Sequence, residues 1–235
     1  MIQKVFNRIE KKYLLNKAMA EELIKRMSSH IKSSKYPYTK ICNIYFDTEN
    51  KELIRKSIEK PIYKEKIRLR SYDVPNAEDK VFLEIKKKFK GVVTKRRVPV
   101  TLKEAYEYLE NGIIPEKDKQ IFKEIDYCFK RYNLVPSIYI SYERYSYQGK
   151  ENKDLRITFD TNIISRDYDL RLEKGSYGIN LIDNETYVME IKSIDSMPLW
   201  LTHALADLEI YPTSFSKYGK IYQKELKEEK TLKIS

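Results

Sequence analysis

Along much of the chain, apolar and polar residues alternate with a period of two, so that successive side chains point to opposite faces of a strand. In KEKIRLRSY, Lys66, Arg68 and Arg70 share one face and Ile67 and Leu69 the other. In VFLEIKKKF, Glu84, Lys86 and Lys88 oppose Leu83, Ile85 and Phe89. The same alternation places Arg8, Glu10 and Lys12 together in RIEKKYL, Lys95 with Arg97 in TKRRVPV, and Tyr142 with Arg144 in ISYERYSY. In LRITFD, Arg156, Thr158 and Asp160 oppose Leu155, Ile157 and Phe159, and in YVMEIKS, Glu190 and Lys192 oppose Met189 and Ile191.

Between these strands the spacing becomes helical. Residues 16–31 align Ala20, Leu23, Ile24, Met27 and Ile31; 101–110 align Leu102, Ala105 and Leu109; 118–132 align Ile121, Phe122, Ile125, Cys128 and Phe129. PLWLTHALADLEI predicts a further helix burying Trp200, Ala204 and Leu208, with Pro198 near its first turn. Turns are expected at DVPNAED, NGIIPEK, YQGKENKD and EKGSYGINLIDN. Residues 1–222 read as a single domain and 223–235 as a charged tail without function.

A soluble barrel ordinarily turns its apolar face inward. Here several amphipathic helices also need an apolar surface to cover, so a barrel with its apolar face outward accommodates both strands and helices. Its charged faces then line a wide polar lumen.

The composition adds a sign to that lumen. The chain has 235 residues, 46 Lys and Arg against 35 Asp and Glu, and a formal net charge of +11. Residues 1–100 hold 26 bases and 12 acids, net +14, which leaves 20 and 23, net −3, for the remainder. A concentrated positive field points to a polyanion, whether nucleic acid, an anionic membrane or a phosphate compound. Like charges 4 Å apart repel by about 1 kcal/mol in water and about 4 kcal/mol at an effective dielectric of 20. An extended anion relieves that repulsion, and phosphate oxygens suit both Arg forks and Lys ammonium groups. Glu190, among these bases, suits a hard divalent cation.

Other chemistries lack their residues. Cys42 and Cys128 form no CxxC pair, and with His30 and His203 as the two histidines no structural zinc set is present. There is no GxxxxGK[ST] or GxGxxG loop, and no Ser-His-Asp spacing indicates a hydrolase triad. No long apolar window and no apolar segment in MIQKVFNRIEKKY predict a spanning helix or signal peptide, so a cytoplasmic protein is expected.

RIEKKYLL, YFDT at 45–48, KIRLRSY, FLEIKKK followed by TKRR, SYERYSY, LRITFD, VMEIK and FSKYG at 215–219 occur in this order. In that order they resemble the VTC-type polyphosphate polymerase domain, of the CYTH-like triphosphate tunnel metalloenzymes. The resemblance implies an α+β fold, an eight-stranded antiparallel β-barrel tunnel with a charged lumen and helices packed outside. It also implies transfer of the ATP γ-phosphoryl group to a growing polyphosphate chain, with Mn2+ or Mg2+ as cofactor. By this resemblance Arg68, Arg70, Lys86, Arg144 and Arg156 hold the triphosphate, and Glu190 binds the metal. Lys12, Lys95, Tyr142, Ser216 and Lys217 match further positions of the family's tunnel, and they and Arg97, which shares a face with Lys95, are expected to contact acceptor or product. Glu10 and Glu84 are expected to hold basic side chains in place.

The partners so implied are ATP or another triphosphate and polyphosphate or pyrophosphate, with no nucleic acid. Related triphosphatases and cyclases begin with Glu-x-Glu-x-Lys, whereas Arg8 occupies the first acidic position here. One carboxylate fewer favours the polymerase type. Hydrolysis of tripolyphosphate or nucleoside triphosphate, and non-catalytic polyanion binding, remain as alternatives.

Overall fold

The computed structural model of the chain describes residues 8–59, 61–116 and 119–232. The start of the segment expected to lack a signal peptide and the last three residues of the charged tail lie outside these. In chain order the strands and helices are β1 (Arg8–Asn16), α1 (Lys17–Met27), β2 (Ile31–Asp47), α2 (Glu52–Ile58), β3 (Tyr63–Tyr72), β4 (Lys80–Phe89), β5 (Val92–Thr101), α3 (Leu102–Asn111) and α4 (Lys119–Tyr132). They continue with β6 (Val135–Gly149), β7 (Arg156–Arg166), β8 (Ile179–Asn180), β9 (Thr186–Ile194), α5 (Leu199–Asp207) and α6 (Lys217–Leu232).

Hydrogen bonding joins the strands in the order β1-β9-β7-β6-β2-β3-β4-β5, with β8 paired to β7. This corrects the expected closed barrel of eight strands: among the described residues there are nine strands and the path ends at β1 and β5. The extra strand comes from a segment expected only to turn, where Ile179 and Asn180 pair with Ser165 and Ile164. β5 carries Pro99, which has no N–H to donate to a further ladder, and its first six residues are exposed.

The chain divides into two compact units. The first takes residues up to Lys40, Tyr142–Ile163 and Ile182–Phe215; the second takes Ile41–Ser141, Ile164–Leu181 and the residues from Ser216 onward. In the first unit, Tyr13 and Leu15 of β1, Ile157 and Phe159 of β7, and Met189 and Ile191 of β9 form a core with Ala20, Leu23 and Met27 of α1. The Asn16 side chain caps α1 by accepting from the Met19 N–H at 2.8 Å. α5 buries Leu201 and Leu205, whereas Trp200, Ala204 and Leu208, expected inside, are only partly buried. The helix is apolar on adjacent positions, so its spacing alone leaves the phase of the buried stripe undetermined. Trp200 instead stacks on His30, with ring centroids 4.4 Å apart.

In the second unit, Cys42, Ile44 and Phe46 of β2, Ile67 and Leu69 of β3, Leu83 and Ile85 of β4 and Val98 and Val100 of β5 pack against α3 and α4. Thr101 and Glu104 form a capping box on α3, and Gly112 closes it with φ 70°. Tyr108 rather than Leu109 is the fully buried residue of that helix's last turn. Cys128 lies buried in α4, its thiol pushed up to about 12 by burial and by the neighbouring Glu65 carboxylate. The boundary expected at residue 222 falls inside α6, which buries Tyr218 and pairs Lys51 with Glu225 at 2.6 Å.

α1 and α5 in the first unit, and α3 and α4 in the second, cover the apolar side of the strands. The polar positions of the same strands therefore occupy the opposite side, and that assignment decides which residues are available to a ligand.

Candidate functional site

The expected site residues fall into two sets, one in each unit. In the second unit the register is regular. Tyr45 pairs with Arg68, Arg68 with Glu84 and Glu84 with Arg97; Lys66 pairs with Lys86 and Lys86 with Lys95. Farther along β3, Arg70 lies beside Asn43 and Phe82. Cross-strand partners share a face, so Lys66, Arg68, Arg70, Lys86, Lys95 and Arg97 stand on one side of the strands around Glu84.

Glu84 is almost fully buried and acts as the hub of this face. One of its oxygens accepts from Arg68 Nε at 2.8 Å and lies 2.6 Å from Arg68 Nη2 and 3.8 Å from Arg70 Nε. The other oxygen lies 2.7 Å from Lys95 Nζ. Burial alone raises a carboxyl, but Arg68, Arg70 and Lys95 overcome it and hold Glu84 at about 2. The imbalance of charge marks its neighbours too. Burial, with Arg68 and Arg70 adding to it against the pull of Glu84, lowers Lys95 to about 8. Although burial opposes the shift, Arg68, Arg70 and Lys66 bring the Tyr45 phenol down to about 7.

The bases are held in place. Arg68 Nη1 donates to the Tyr45 hydroxyl at 2.9 Å. Arg70 Nε donates to Asn43 Oδ1 at 2.9 Å, and the Asn43 amide is fixed by donating to the Ile140 carbonyl, also at 2.9 Å. Arg97 is more loosely placed, over the Phe82 ring at 4.5 Å. Lys66 Nζ donates to Ser216 Oγ at 3.1 Å, and the same oxygen accepts from the Gly219 N–H at the start of α6. A Cβ on Gly219 would lie 3.2 Å from both Cβ and Oγ of Ser216, a tight contact that would press on the serine that accepts from Lys66. Lys217 begins α6 next to this serine.

In the first unit, Lys12 pairs with Glu190 and Glu190 with Thr158, while Glu10 pairs with Lys192 and Lys192 with Arg156. Lys192 Nζ lies 2.5 Å from Glu190 and 3.9 Å from Glu10, and Lys12 Nζ lies 3.8 Å from Glu190 and 3.9 Å from Glu10. Two carboxylates and two ammonium groups thus form a square. Burial works against ionisation of Glu190, yet Lys192 and Lys12, with Arg144, hold it at about 2. Lys12 also donates to the Phe215 carbonyl at 3.1 Å.

Arg144 makes a two-point fork with Asp160, at 2.6 and 2.8 Å, and lies over the buried Tyr142 ring at 5.3 Å. Its pKa is raised far above the usual value, because Asp160 outweighs burial. Arg156 is exposed and makes no ion pair among the described residues.

Several contributors were given no role from the sequence. Asn43 and Tyr45 alternate with the buried Cys42, Ile44 and Phe46, which is the signal that places them on the charged face. Asp160 occupies the same face of β7 as Arg156 and Thr158. Thr158 Oγ1 is buried and finds no hydrogen-bond partner among the described residues.

Glu10 and Glu190 are two oxygen donors sharing one pair of lysines, and the Thr158 hydroxyl is a third polar group on that face. This set suits Mg2+ or Mn2+, which typically takes one or two carboxylates and completes its shell with water and phosphate oxygens. Among the described residues no three His, Cys, Asp or Glu side chains converge as a metal cage.

Two solved structures share the fold. One is a candidate adenylate cyclase from Bacillus halodurans, with a TM-score of 0.54 and 16% identity over 89% of this chain and 93% of that one. The other is a candidate adenylyl cyclase from Hippeastrum with a dominant triphosphatase activity, with a TM-score of 0.52 and 15% identity over 91% of this chain and 93% of that one. The chain thus shares the fold of these two proteins. The VTC domain model matches residues 7–225, and the chain belongs to the VTC domain family. No match was found among curated proteins. Among the described residues no helix is long and apolar enough to cross a membrane.

Proposed function

We propose that this protein is a metal-dependent polyphosphate polymerase, which transfers the γ-phosphoryl group of ATP to the terminal oxygen of a polyphosphate chain. The observation that carries the reading is the second unit's face, where six bases share one side of β3, β4 and β5 with the buried carboxylate Glu84. That surplus of fixed positive charge is suited to a chain of phosphates.

In this reading the bond from the γ-phosphorus to the β,γ-bridging oxygen breaks and ADP leaves with the electron pair. A terminal phosphate oxygen of the acceptor forms the new bond. The nucleophile is already anionic, so no general base is needed. Arg68, Arg70, Lys86 and Lys95 neutralise phosphate oxygens as charge spreads over the transferred group. Arg97, Ser216 and Lys217 of the same unit would contact acceptor or product. In the first unit, Arg144, positioned by Asp160, and Arg156 would be cations for phosphate, and Lys12 and Tyr142 would contact acceptor or product. Glu190 and Glu10 would hold Mn2+ or Mg2+, which supplies charge neutralisation on phosphate oxygens when bound. The two lysines that neutralise these carboxylates would then be released to phosphate.

Hydrolysis of the same triphosphate is the second reading, supported by the likeness to the Hippeastrum protein. The lysine-neutralised pair of carboxylates, with Arg8 in the first acidic position, favours transfer over a metal-rich hydrolytic centre. Incubation with ATP and Mn2+ tests the choice. Long-chain polyphosphate with stoichiometric ADP is expected; orthophosphate without chains would establish hydrolysis, and no turnover with retained triphosphate binding would leave a binding module.

A further inference from the structure

The tip of the β4–β5 hairpin carries a patch that phosphate chemistry does not use. Ile62, Tyr63, Phe89, Val92 and Val93 are all exposed, at 67%, 41%, 53%, 68% and 45% respectively. They are contiguous: Tyr63 pairs with Phe89, Phe89 with Val92, and Val93 with Lys88, while the Ile62 carbonyl accepts from the Lys90 N–H at 2.9 Å. Scattered exposed apolar residues are ordinary, whereas a group at one loop end is not.

The turn is held firmly. Lys90 and Gly91 both have positive φ, 46° and 88°, the conformation of a tight two-residue hairpin. The patch is also ringed by positive charge. Lys88 and Lys90 are exposed beside Phe89, with Lys90 Nζ 5.6 Å from the centre of its ring, and Lys86–Arg97 contains seven bases and no acid.

We propose that this hairpin tip docks on an anionic membrane surface, with Phe89, Val92 and Ile62 entering the headgroup boundary and Lys88 and Lys90 meeting lipid phosphates. Apolar side chains at a tip and lysines just behind them are the complement of an interface that is apolar inside and negative at its edge. A protein partner fits less well, since the buried centres of protein interfaces are depleted in lysine.

Vesicle co-sedimentation of the full chain tests the proposal, using phosphatidylcholine vesicles with and without phosphatidylserine. Binding only to the phosphatidylserine vesicles is expected. Phe89→Ser with Val92→Asp should reduce it at least about tenfold, with tripolyphosphate affinity unchanged. Lys88→Glu with Lys90→Glu, which leaves the apolar residues intact, should do the same. Absence of wild-type binding would overturn the proposal, and so would binding that survives both double substitutions, since the charged strand face would then be making the contact. A wild-type dimer in solution that Phe89→Ser with Val92→Asp dissolves would assign the patch to a second copy of the chain instead.

Discussion

Replacing Glu84 by Gln removes the one anion at the centre of the second unit's basic face while keeping its volume. A carboxyl held at about 2 rather than at 4.5 corresponds to about 3 kcal/mol of preferential stabilisation of its ionised form. Glu84→Gln should therefore cost about 3 kcal/mol at pH 7, because Arg68, Arg70 and Lys95 are left to repel one another. Release of the Lys95 proton sets an upper limit on the loss. In urea the midpoint should fall by about 1 to 2 M.

The pH dependence has a definite sign. The folded-state pKa is depressed, so the stabilisation is complete above about 4.5 and disappears as pH falls through about 2. Between pH 7 and 3 the advantage of wild type over Glu84→Gln should shrink from about 3 to about 1 kcal/mol. Tripolyphosphate, supplying the missing negative charge, should restore the variant, with a ligand at a hundred times its Kd contributing about 2.7 kcal/mol. The reasoning is refuted if Glu84→Gln unfolds at the wild-type urea concentration, or if tripolyphosphate stabilises it less than it stabilises wild type.

Triphosphate affinity should fall as pH rises from 7 to 9, because Lys95 loses its proton at about 8 and Tyr45 becomes anionic at about 7; calorimetric titration should show the fall, and Lys95→Met should flatten its upper part. Over the interval from about 8 to 10.5 the free protein should gain stability, since a lysine of depressed pKa penalises folding while charged. Glu190→Gln should abolish stimulation by Mn2+ while leaving metal-free tripolyphosphate binding equal or tighter, as read by activity and calorimetry together. Thr158→Val removes a buried unpaired hydroxyl, so the free protein should be as stable or about 1 kcal/mol more stable. Its metal-dependent triphosphate affinity should fall severalfold, and Thr158→Ser should retain it.

Strand parity made much of the candidate site legible in advance. Arg68, Arg70 and Glu84 were separable from their apolar neighbours by period alone, Lys66, Lys86, Lys95 and Arg97 followed by continuing the same parity, and the helices that needed an apolar surface indicated which side of the strands they would cover. This was local information: a side chain's face follows from its position in the strand. The hub role of Glu84 was not local, because it depends on a register that sets Arg68 on one flank and Arg97 on the other, with Lys95 within 2.7 Å. Nor could spacing show that Lys12 and Lys192 would share Glu10 and Glu190, or that Asp160 would take Arg144 in a fork.

The sequence by itself therefore determined the alternation of faces, the amphipathic helices and the sign of the charge. Tertiary structure alone decided that β8 adds a ninth strand, that the strand path ends at β1 and β5, and that α5 buries Leu201 and Leu205 rather than Trp200. It also decided which bases pair with which carboxylates. Periodicity encodes the direction of a side chain relative to its own backbone, but pairing, burial and pKa depend on residues far away in the chain that are brought opposite only when the strands take their register.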